Sequence, residues 1–380
     1  MTRKKIVIAP DSFKESLTAL QAAESIEAGF KEIHPDWEYV KVPMADGGEG
    51  TVQSIVDATG GKIKYLTVTG PLGEKVEGFY GLSGDHQTAI IEMAAASGLD
   101  KITPDKRNPL KTTTWGFGEL IKDALDEGVK KMILGIGGSA TNDGGAGMIQ
   151  SLGGKLLDEH NEQIGFGGES LSKLKSIDLS EMDERIEKVS FSVACDVDNP
   201  LTGPSGASYI YGPQKGADAD MVNLLDQNLK HYASVIKKEL GKDIDNVPGS
   251  GAAGGLGAGL LAFLNAELVR GGELVIETLN LADLLEGADL VITGEGGINH
   301  QTIYGKTPIS VAKEAKKKGI PVIAIAGTLS KEHNNIYDNG IDAAFSIIPE
   351  LNDLETILKT GQENIRLTAR NIAKTLTIIK

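Results

Sequence analysis

Strand and helix signals alternate at both ends of this 380-residue chain, and this alternation constrains the fold more than any other feature. Near the start, a short β-branched run at residues 5–9 is typical of a buried parallel strand. A helix is predicted over residues 18–33, where Thr18 and Gln21 form a capping-box pair. The last hundred residues repeat the rhythm, with strands at 289–293, 321–326 and 343–348 and helices at 309–318 and 354–376. Such alternation indicates parallel βαβ units with right-handed crossovers.

The middle of the chain has a different pattern. Predicted strands at residues 65–69, 75–82 and 88–93 are separated by Gly/Pro turns, which favours antiparallel pairing. We therefore predict an α/β protein of two domains. Residues 1–70 and 282–380 form a doubly wound parallel domain of Rossmann or flavodoxin-like type, built from both termini. Residues 71–281 form an inserted, glycine-rich α/β domain with a mixed sheet.

The charge balance limits the partners of this chain. A formal net charge of −15 argues against nucleic acid or an anionic membrane, because both require a basic face. An anionic ligand must then be held by backbone N–H groups, helix N-termini, a metal ion or a few placed cations. The single cysteine, Cys195, fits a reducing cytoplasm, and no apolar run reaches the ~18 residues of a membrane helix.

Acidic side chains stand in four predicted loops, several of them directly after predicted strands: Asp11, Asp46, Glu49, Asp196, Asp198 and Glu295. In an open parallel sheet, ligands bind beyond the carboxyl ends of the strands, so Asp11, Asp46 and Glu295 can converge on one crevice. Phosphoryl transfer needs cations around the phosphates and a base for the acceptor hydroxyl. Lysines at positions 14, 215 and 306 could supply the positive charge.

The glycine-rich segment at residues 130–148 allows two interpretations. Gly135, Gly137 and Ala140 match a dinucleotide fingerprint, and Asp158 follows about 20 residues on, which would suit an NAD-dependent dehydrogenase. The same loop also carries four polar residues, Ser139, Thr141, Asn142 and Asp143, which suit phosphate and hydrated Mg²⁺. We favour a phosphate or substrate loop.

Two further glycine segments partly resemble phosphate-binding motifs. Residues 248–264 contain Ser250 and Gly251 at the start of a predicted helix, where either an anion or close helix packing would explain the glycines. The last three positions of a Walker A loop are matched by Gly305, Lys306 and Thr307. Position 300, however, is histidine where that motif requires glycine. A kinase of this sequence therefore belongs to a class without a P-loop.

Ten ordered segments carry a family likeness: PDSFKESLTA, PMADGGEGT, TGPLG, EMAAASGL, GIGGSATNDGGAGM, ACDVDNPL, YGPQKGA, PGSGAAGGLGAGL, TGEG and QTIYGKTP. Together they resemble the signature blocks of type-I glycerate kinases along the whole chain. The resemblance implies transfer of a phosphoryl group from ATP to D-glycerate, with Mg²⁺ required and 2-phosphoglycerate as the usual bacterial product. It also implies two α/β domains with a cleft between them.

The resemblance also assigns roles to residues. The catalytic candidates are Asp11, Lys14, Asp46, Asp143 and Asp196, with Asp46 and Asp196 as candidate Mg²⁺ ligands. The candidates for binding substrate or phosphate are Ser12, Gly47, Gly48, Glu49, Arg107, Ser139, Asn142, Asn199, Gln214, Lys215, Ser250, Gly251, Glu295, Asn299, Gln301 and Lys306. Among these, Arg107 suits the glycerate carboxylate, because a planar guanidinium binds a carboxylate with two hydrogen bonds.

The sequence departs from the family pattern at four positions, Phe117, Gly297, Asn299 and Ser310, where the family usually has Thr, Arg, Asp and Gly. Two interpretations remain open. Either these positions are auxiliary and the enzyme is active, or the chain is a kinase-fold homologue with weakened activity or a different hydroxy-acid acceptor. The sequence leaves the oligomeric state open between monomer and homodimer.

Overall fold

The computed structural model describes residues 3–378, which divide into two compact units. The chain up to Gly60 and from Gly271 onward forms unit 1, and Gly61–Arg270 forms unit 2. The strands are β1 Lys5–Pro10, β2 Glu38–Lys41, β3 Lys62–Thr69, β4 Lys75–Leu82, β5 Thr88–Glu92, β6 Lys131–Gly135, β7 Lys155–Leu157, β8 Ser176–Asp178, β9 Ser190–Ala194, β10 Glu267–Val269, β11 Leu290–Ile298, β12 Val322–Leu329 and β13 Ala343–Ser346. The α-helices are α1 Ala19–Lys31, α2 Thr51–Thr59, α3 Ala94–Ser97, α4 Trp115–Asp126, α5 Ala146–Ser151, α6 Ala207–Tyr211, α7 Ala219–Leu240, α8 Ala252–Phe263, α9 Gly271–Thr278, α10 Leu281–Leu284, α11 Thr307–Lys317, α12 Leu354–Lys359 and α13 Gly361–Ile378. Within residues 3–378, no helix combines the length and apolar character needed to cross a bilayer.

Unit 1 is built on a five-stranded sheet in the order β13-β12-β11-β1-β2. Every neighbouring pair in this sheet is parallel. Counted within the unit, the strand order is 2-1-3-4-5, which is the flavodoxin-like doubly wound order. The central strand β1 is completely buried from Ile6 to Ala9, as its β-branched composition predicts. The predicted parallel domain built from both ends of the chain is confirmed.

Helix α1 covers one face of this sheet. Its N-terminus has the predicted capping box, because the Gln21 backbone N–H donates to Thr18 Oγ1 and the Thr18 N–H donates to Gln21 Oε1. Ala22, Ile26 and Phe30 are fully buried on its inner side. They belong to one hydrophobic core with β1 and α13.

The final helix predicted over residues 354–376 is wrong in one respect, because two helices occupy this region. Helix α12 ends at Lys359, and the φ of −93° and ψ of 4° at the next residue, Thr360, are not helical. The Thr360 hydroxyl donates back to the Thr356 carbonyl, 2.9 Å away. Gly361 opens α13 at a close approach to the loop before α1, since a Cβ there would lie 2.4 Å from Ser16 Oγ.

Unit 2 contains a six-stranded mixed sheet in the order β10-β9-β6-β5-β4-β3. Strands β3, β4 and β5 pair antiparallel, as the Gly/Pro turns between them predict. Strands β5, β6, β9 and β10 pair parallel. A separate antiparallel pair, β7 and β8, lies outside this sheet. The predicted mixed sheet of the inserted region is therefore confirmed.

The unit boundaries fall about ten residues before the predicted domain boundaries, at Gly60 and Arg270 in place of 70 and 281. Strand β3 belongs to unit 2 because it pairs with β4 along its whole length, from Lys62 to Thr69. Helix α9 belongs to unit 1, where its first residue packs so tightly that a Cβ on Gly271 would lie 1.9 Å from the Asp46 carbonyl oxygen. Strand pairing and helix packing thus set the unit boundaries, which turn signals in the sequence alone did not locate.

Candidate active site

The strand order of unit 1 creates one topological switch point, between β1 and β11. Strand β1 pairs with β2 on one side and β11 on the other, so the connections leaving β1 and β11 run in opposite directions. Asp11 follows β1 directly, and its backbone N–H donates to the Gly294 carbonyl of β11 at 2.8 Å. Glu295 is the next residue of β11. The crevice where this fold class binds ligands is therefore lined by carboxylates.

The Asp11 carboxylate is held by one hydrogen bond on each oxygen. The Ser12 backbone N–H donates to Oδ1 at 2.6 Å, and the Thr307 hydroxyl donates to Oδ2 at 2.5 Å. Burial raises the pKa of Asp11 to about 7, with a further rise from the negative charge of Asp46, while both hydrogen bonds act against this rise. Asp11 therefore exchanges its proton near neutral pH.

Glu295 is buried beside a cation. Its Oε1 accepts from the Thr302 hydroxyl at 2.7 Å, and its Oε2 lies 3.4 Å from Lys306 Nζ. Burial raises the pKa of Glu295 above its usual range, and the nearby Lys306 acts in the opposite direction. Lys306 is partly exposed, so its ammonium group remains accessible to a ligand.

Asp46 lies in the loop that joins β2 to α2. Its Oδ1 accepts from the Gly48 backbone N–H at 3.1 Å, which closes a small turn around the carboxylate. The loop is tied to β1 because the Met44 N–H donates to the Pro10 carbonyl at 2.9 Å. Glu49, further along, is exposed and faces the exposed Lys14 at 3.8 Å.

These groups line one cavity of about 950 Å³ within unit 1. Eight of the predicted site residues line it: Asp11, Ser12, Lys14, Asp46, Gly48, Glu49, Glu295 and Lys306. The volume lies near the upper end of the range for small-molecule sites. Asp11, Asp46 and Glu295 line the same cavity, as their positions at the strand ends predict.

The donor set of this cavity fits Mg²⁺. Hard carboxylate oxygens from Asp11, Asp46 and Glu295 line it, and burial raises the pKa of Asp11 and of Glu295. Among residues 3–378, no three acidic, His or Cys side chains form a ready-made metal cluster. Mg²⁺ commonly takes only one or two protein carboxylates and completes its shell with water and phosphate. The other predicted ligand, Asp196, belongs to unit 2.

In unit 2, Lys215 is almost completely buried. Its Nζ donates to Ser139 Oγ at 2.8 Å and to the Thr141 carbonyl at 2.7 Å. Burial lowers the pKa of Lys215 to about 7, against an opposing effect of the Asp143 carboxylate. Lys215 was predicted to bind phosphate, but this geometry makes it a support for the loop that contains Ser139 and Thr141.

Asp143 is also buried, and its hydrogen bonds are structural. Its Oδ2 accepts from the Thr114 N–H and hydroxyl and from the Gly147 N–H, and its Oδ1 accepts from the Gly145 N–H. Burial raises the pKa of Asp143 above its usual range. The carboxylate joins the N-terminus of α5 to that of α4, so this geometry favours a structural role over the predicted catalytic one.

Four other predicted residues of unit 2 lie at or near its surface. Arg107 donates from Nη1 to the Gln214 carbonyl at 3.3 Å, while its buried Nε has no hydrogen-bond partner. Asp196 is exposed, and its carbonyl accepts from Arg270 at 2.6 Å. Both polar atoms of the Asn199 side chain have partners, because Nδ2 donates to the Ser205 carbonyl and Oδ1 accepts from the Tyr211 hydroxyl.

The buried polar groups of the loop differ from these. Asn142 donates to Ser208 Oγ at 3.0 Å, and its Oδ1 is left without a partner, as is Thr141 Oγ1. Ser250 and Gly251 are buried where the chain approaches itself, since a Cβ on Gly251 would lie 2.1 Å from the Pro200 carbonyl oxygen. Close packing therefore accounts for the glycines of residues 248–264.

The dehydrogenase interpretation requires a helix that begins within the fingerprint glycines. Helix α5 begins only at Ala146, eleven residues after Gly135 ends β6, and its N-terminus is occupied by Asp143. Asp158 accepts backbone N–H groups of His160 and Glu162 in a tight turn. The dinucleotide fingerprint is therefore a chance match in a glycine-rich loop.

Three of the departures from the family pattern now have local explanations. Asn299 Oδ1 accepts from the Gln301 N–H at 2.8 Å, and the Ser310 hydroxyl donates to the Gly305 carbonyl at 3.0 Å. Phe117 is fully buried in the core of unit 2. Gly297 lines the cavity of unit 1, and nothing in the structure explains why glycine stands there.

Sequence reasoning missed the two hydroxyls that contact the buried carboxylates, Thr302 and Thr307. Both are fully buried or nearly so, and both lie in the segment QTIYGKTP. The candidates predicted from that segment are Gln301 and Lys306, and neither threonine is among them. The sequence signal for these two residues was a threonine on each side of the Gly305-Lys306 pair.

Comparison with known proteins agrees with this geometry. The sequence model of the glycerate kinase family matches residues 6–377. A Bacillus subtilis (strain 168) protein named glycerate kinase is 58% identical over 376 residues, covering 99% of this chain and 98% of the relative. An Escherichia coli (strain K12) protein named glycerate 2-kinase is 55% identical over 374 residues, covering 98% of each. A crystal structure from Salmonella typhimurium LT2, provisionally named glycerate kinase 2, matches with a TM-score of 0.93 at 55% identity and covers 99% of both chains. The chain belongs to the glycerate kinase family.

Proposed function

We propose that this protein transfers the γ-phosphoryl group of ATP to D-glycerate, with Mg²⁺, and forms 2-phosphoglycerate. The observation that carries the proposal is a buried carboxylate, Asp11, whose pKa is raised to about 7 at the switch point of a doubly wound sheet. Family membership supports the reaction class. The position of phosphorylation is supported by the Escherichia coli relative, which is named glycerate 2-kinase.

Asp11 acts as the general base in this proposal. Its carboxylate takes the proton of the acceptor hydroxyl, whose oxygen forms the new bond to the γ-phosphorus. The bond from that phosphorus to the β–γ bridging oxygen breaks, and the electron pair leaves with ADP. A base with a pKa near the operating pH combines a large ionised fraction with useful basicity. Unlike Asp143, Asp11 keeps lone-pair positions for a substrate proton.

Cations and backbone donors of the same cavity bind the phosphates. Lys306 lies beside Glu295 but remains partly exposed, and the loop around Gly48 offers backbone N–H groups. The pair between Lys14 and Glu49 is long and solvent-exposed, so it holds Lys14 only weakly and leaves it able to reach a phosphate. Mg²⁺, with Asp46 as a protein ligand, would neutralise charge that develops on the phosphate oxygens.

In unit 2, we propose Arg107 as a group that binds a carboxylate ligand. Its Nε is a guanidinium N–H group without a protein partner, which a carboxylate ligand would satisfy. The buried Lys215, Asn142 and Asp143 support the loops of this unit in the same proposal. The single cysteine, buried Cys195, is consistent with a cytoplasmic location.

The decisive experiment is a coupled ADP-release assay with D-glycerate, ATP and Mg²⁺, followed by ³¹P NMR of the product. We expect ADP release that depends on D-glycerate, and a product resonance that couples to the C2 proton. Asp11→Asn is the matched variant, because it keeps the shape of the side chain while removing the base. It should lower kcat about 10²- to 10⁴-fold with ATP binding retained in calorimetry. Binding of ATP and glycerate by the wild type without ADP release would instead identify an inactive kinase-fold homologue.

A further inference from the structure

Thr307 is the first residue of α11, and only 1% of it is exposed. Its hydroxyl donates to Oδ2 of Asp11 at 2.5 Å, while the Ser12 N–H donates to Oδ1 at 2.6 Å. The terminal torsion of an aspartate is soft, so a single hydrogen bond leaves the carboxylate free to rotate. Bonds to both oxygens fix its plane.

The segment that carries Thr307 is itself firmly held. Gly305 adopts a φ of +99°, which favours glycine, and its carbonyl accepts from the Ser310 hydroxyl one turn into α11. Lys306 then precedes the helix in an extended conformation and lies near Glu295. The position of the Thr307 hydroxyl therefore follows from the start of α11.

We propose that Thr307 is a positioning residue for phosphoryl transfer. Its hydroxyl holds the Asp11 carboxylate in the plane in which the base accepts the acceptor proton, an inference that rests on the proposed role of Asp11. The carboxylate offers about four lone-pair positions, and the two donors leave about two for the substrate. A misoriented base loses rate without losing substrate affinity, since orientation contributes to the barrier of the chemical step.

Thr307→Val removes the hydroxyl while keeping the branched shape, and Thr307→Ser keeps the hydroxyl. We expect the valine variant to lose about 10- to 100-fold in kcat, with KM for both substrates and the melting temperature close to wild type. The serine variant should recover most of kcat. Thr293→Val is the control, because Thr293 is equally buried in the same unit but its hydroxyl donates to a backbone carbonyl, Ala9 O.

A double-mutant cycle tests whether Thr307 acts through Asp11. In the Asp11→Asn background, Thr307→Val should change kcat by less than about twofold, because the base that it orients is gone. An additive loss in that background, failure of serine to restore kcat, or an equal kcat loss in Thr293→Val would overturn the inference. So would a valine variant as active as wild type. Absence of glycerate-dependent ADP release from the wild type would overturn the proposed function as well, so the two failures are distinguishable.

Discussion

Replacing Asp46 by asparagine should move the acid limb of the pH profile for kcat/KM to lower pH. The proposed base, Asp11, has a pKa of about 7, and the negative charge of Asp46 is the second cause of that rise after burial. Asparagine keeps the size and the acceptor that binds the Gly48 N–H, but removes the charge. The carboxylate of Asp11 is then easier to ionise, so its pKa falls.

The size of the shift follows from the charges that face Asp11. Asp46 and Glu295 raise its pKa, while the Ser12 and Thr307 donors lower it. Removal of one nearby like charge typically changes a pKa by about one unit, or about 1.4 kcal/mol. With a pKa of about 7, roughly one tenth of the wild-type base is ionised at pH 6; with a pKa near 6, about half would be. The ratio of variant to wild-type kcat/KM should therefore be about fivefold higher at pH 6 than at pH 8.

The measurement is kcat/KM for D-glycerate between pH 5 and 9 at saturating ATP and Mg²⁺. Comparing ratios removes any pH-independent loss that follows from weaker Mg²⁺ binding, and the ionisation of ATP is common to both enzymes. Glu49→Gln is the control, since Glu49 lines the same cavity but is exposed and is not among the charges that raise the pKa of Asp11. An acid limb that stays in place in Asp46→Asn, or moves to higher pH, would refute the assignment of the limb to Asp11.

Three further predictions concern other parts of the molecule. Lys215 has a pKa lowered to about 7, so above pH 7 its side chain is neutral in the folded protein but still protonated in the unfolded protein. The free energy of unfolding therefore increases as the pH rises above 7. At pH 8.5 the wild type should therefore take up about one more proton on unfolding than Lys215→Met, measured by calorimetry in buffers of different ionisation enthalpy. Asn299→Asp should leave kcat within about threefold, because Asn299 acts as a turn acceptor that an aspartate also provides; an increase of orders of magnitude would mean that the missing charge belongs to the chemistry. Gly254→Ala should destabilise the fold by about 2–4 kcal/mol in urea unfolding, since its Cβ would lie 2.0 Å from the Thr141 carbonyl oxygen. Gly241→Ala, at a similar positive φ with open space around it, should cost only about 1 kcal/mol.

The carboxylates of the unit 1 cavity were predictable because a general rule connects sequence to position. A strand followed by an acidic loop residue places that residue at the carboxyl edge of a parallel sheet, and this held for Asp11 after β1 and Asp46 after β2. The partners of those carboxylates were not predictable in the same way. Thr307 lies 296 residues from Asp11 in sequence, and only the pairing of β1 with β11 brings their elements together.

The sequence was least informative about burial in unit 2. A lysine in a glycine-rich loop is usually exposed, and nothing in YGPQKGA indicates that Lys215 is enclosed by other loops. The loop that it supports contains fully buried Thr141, Asn142 and Asp143, whose polarity resembles that of a ligand site. The polar residues around glycine therefore predicted a binding loop. In the structure, Lys215 and Asp143 instead form hydrogen bonds within unit 2.

A perturbed pKa does not by itself separate a catalytic carboxylate from a structural one, as Asp11 and Asp143 illustrate. Burial raises the pKa of both. Among the described residues, Asp143 accepts four hydrogen bonds, three on Oδ2 and one on Oδ1, and three of the four come from backbone N–H groups. Asp11 accepts two and opens onto a cavity of about 950 Å³. A buried carboxylate with few hydrogen bonds that opens onto a ligand crevice can receive a substrate proton, whereas a carboxylate that accepts four hydrogen bonds from its own loops serves to hold those loops together.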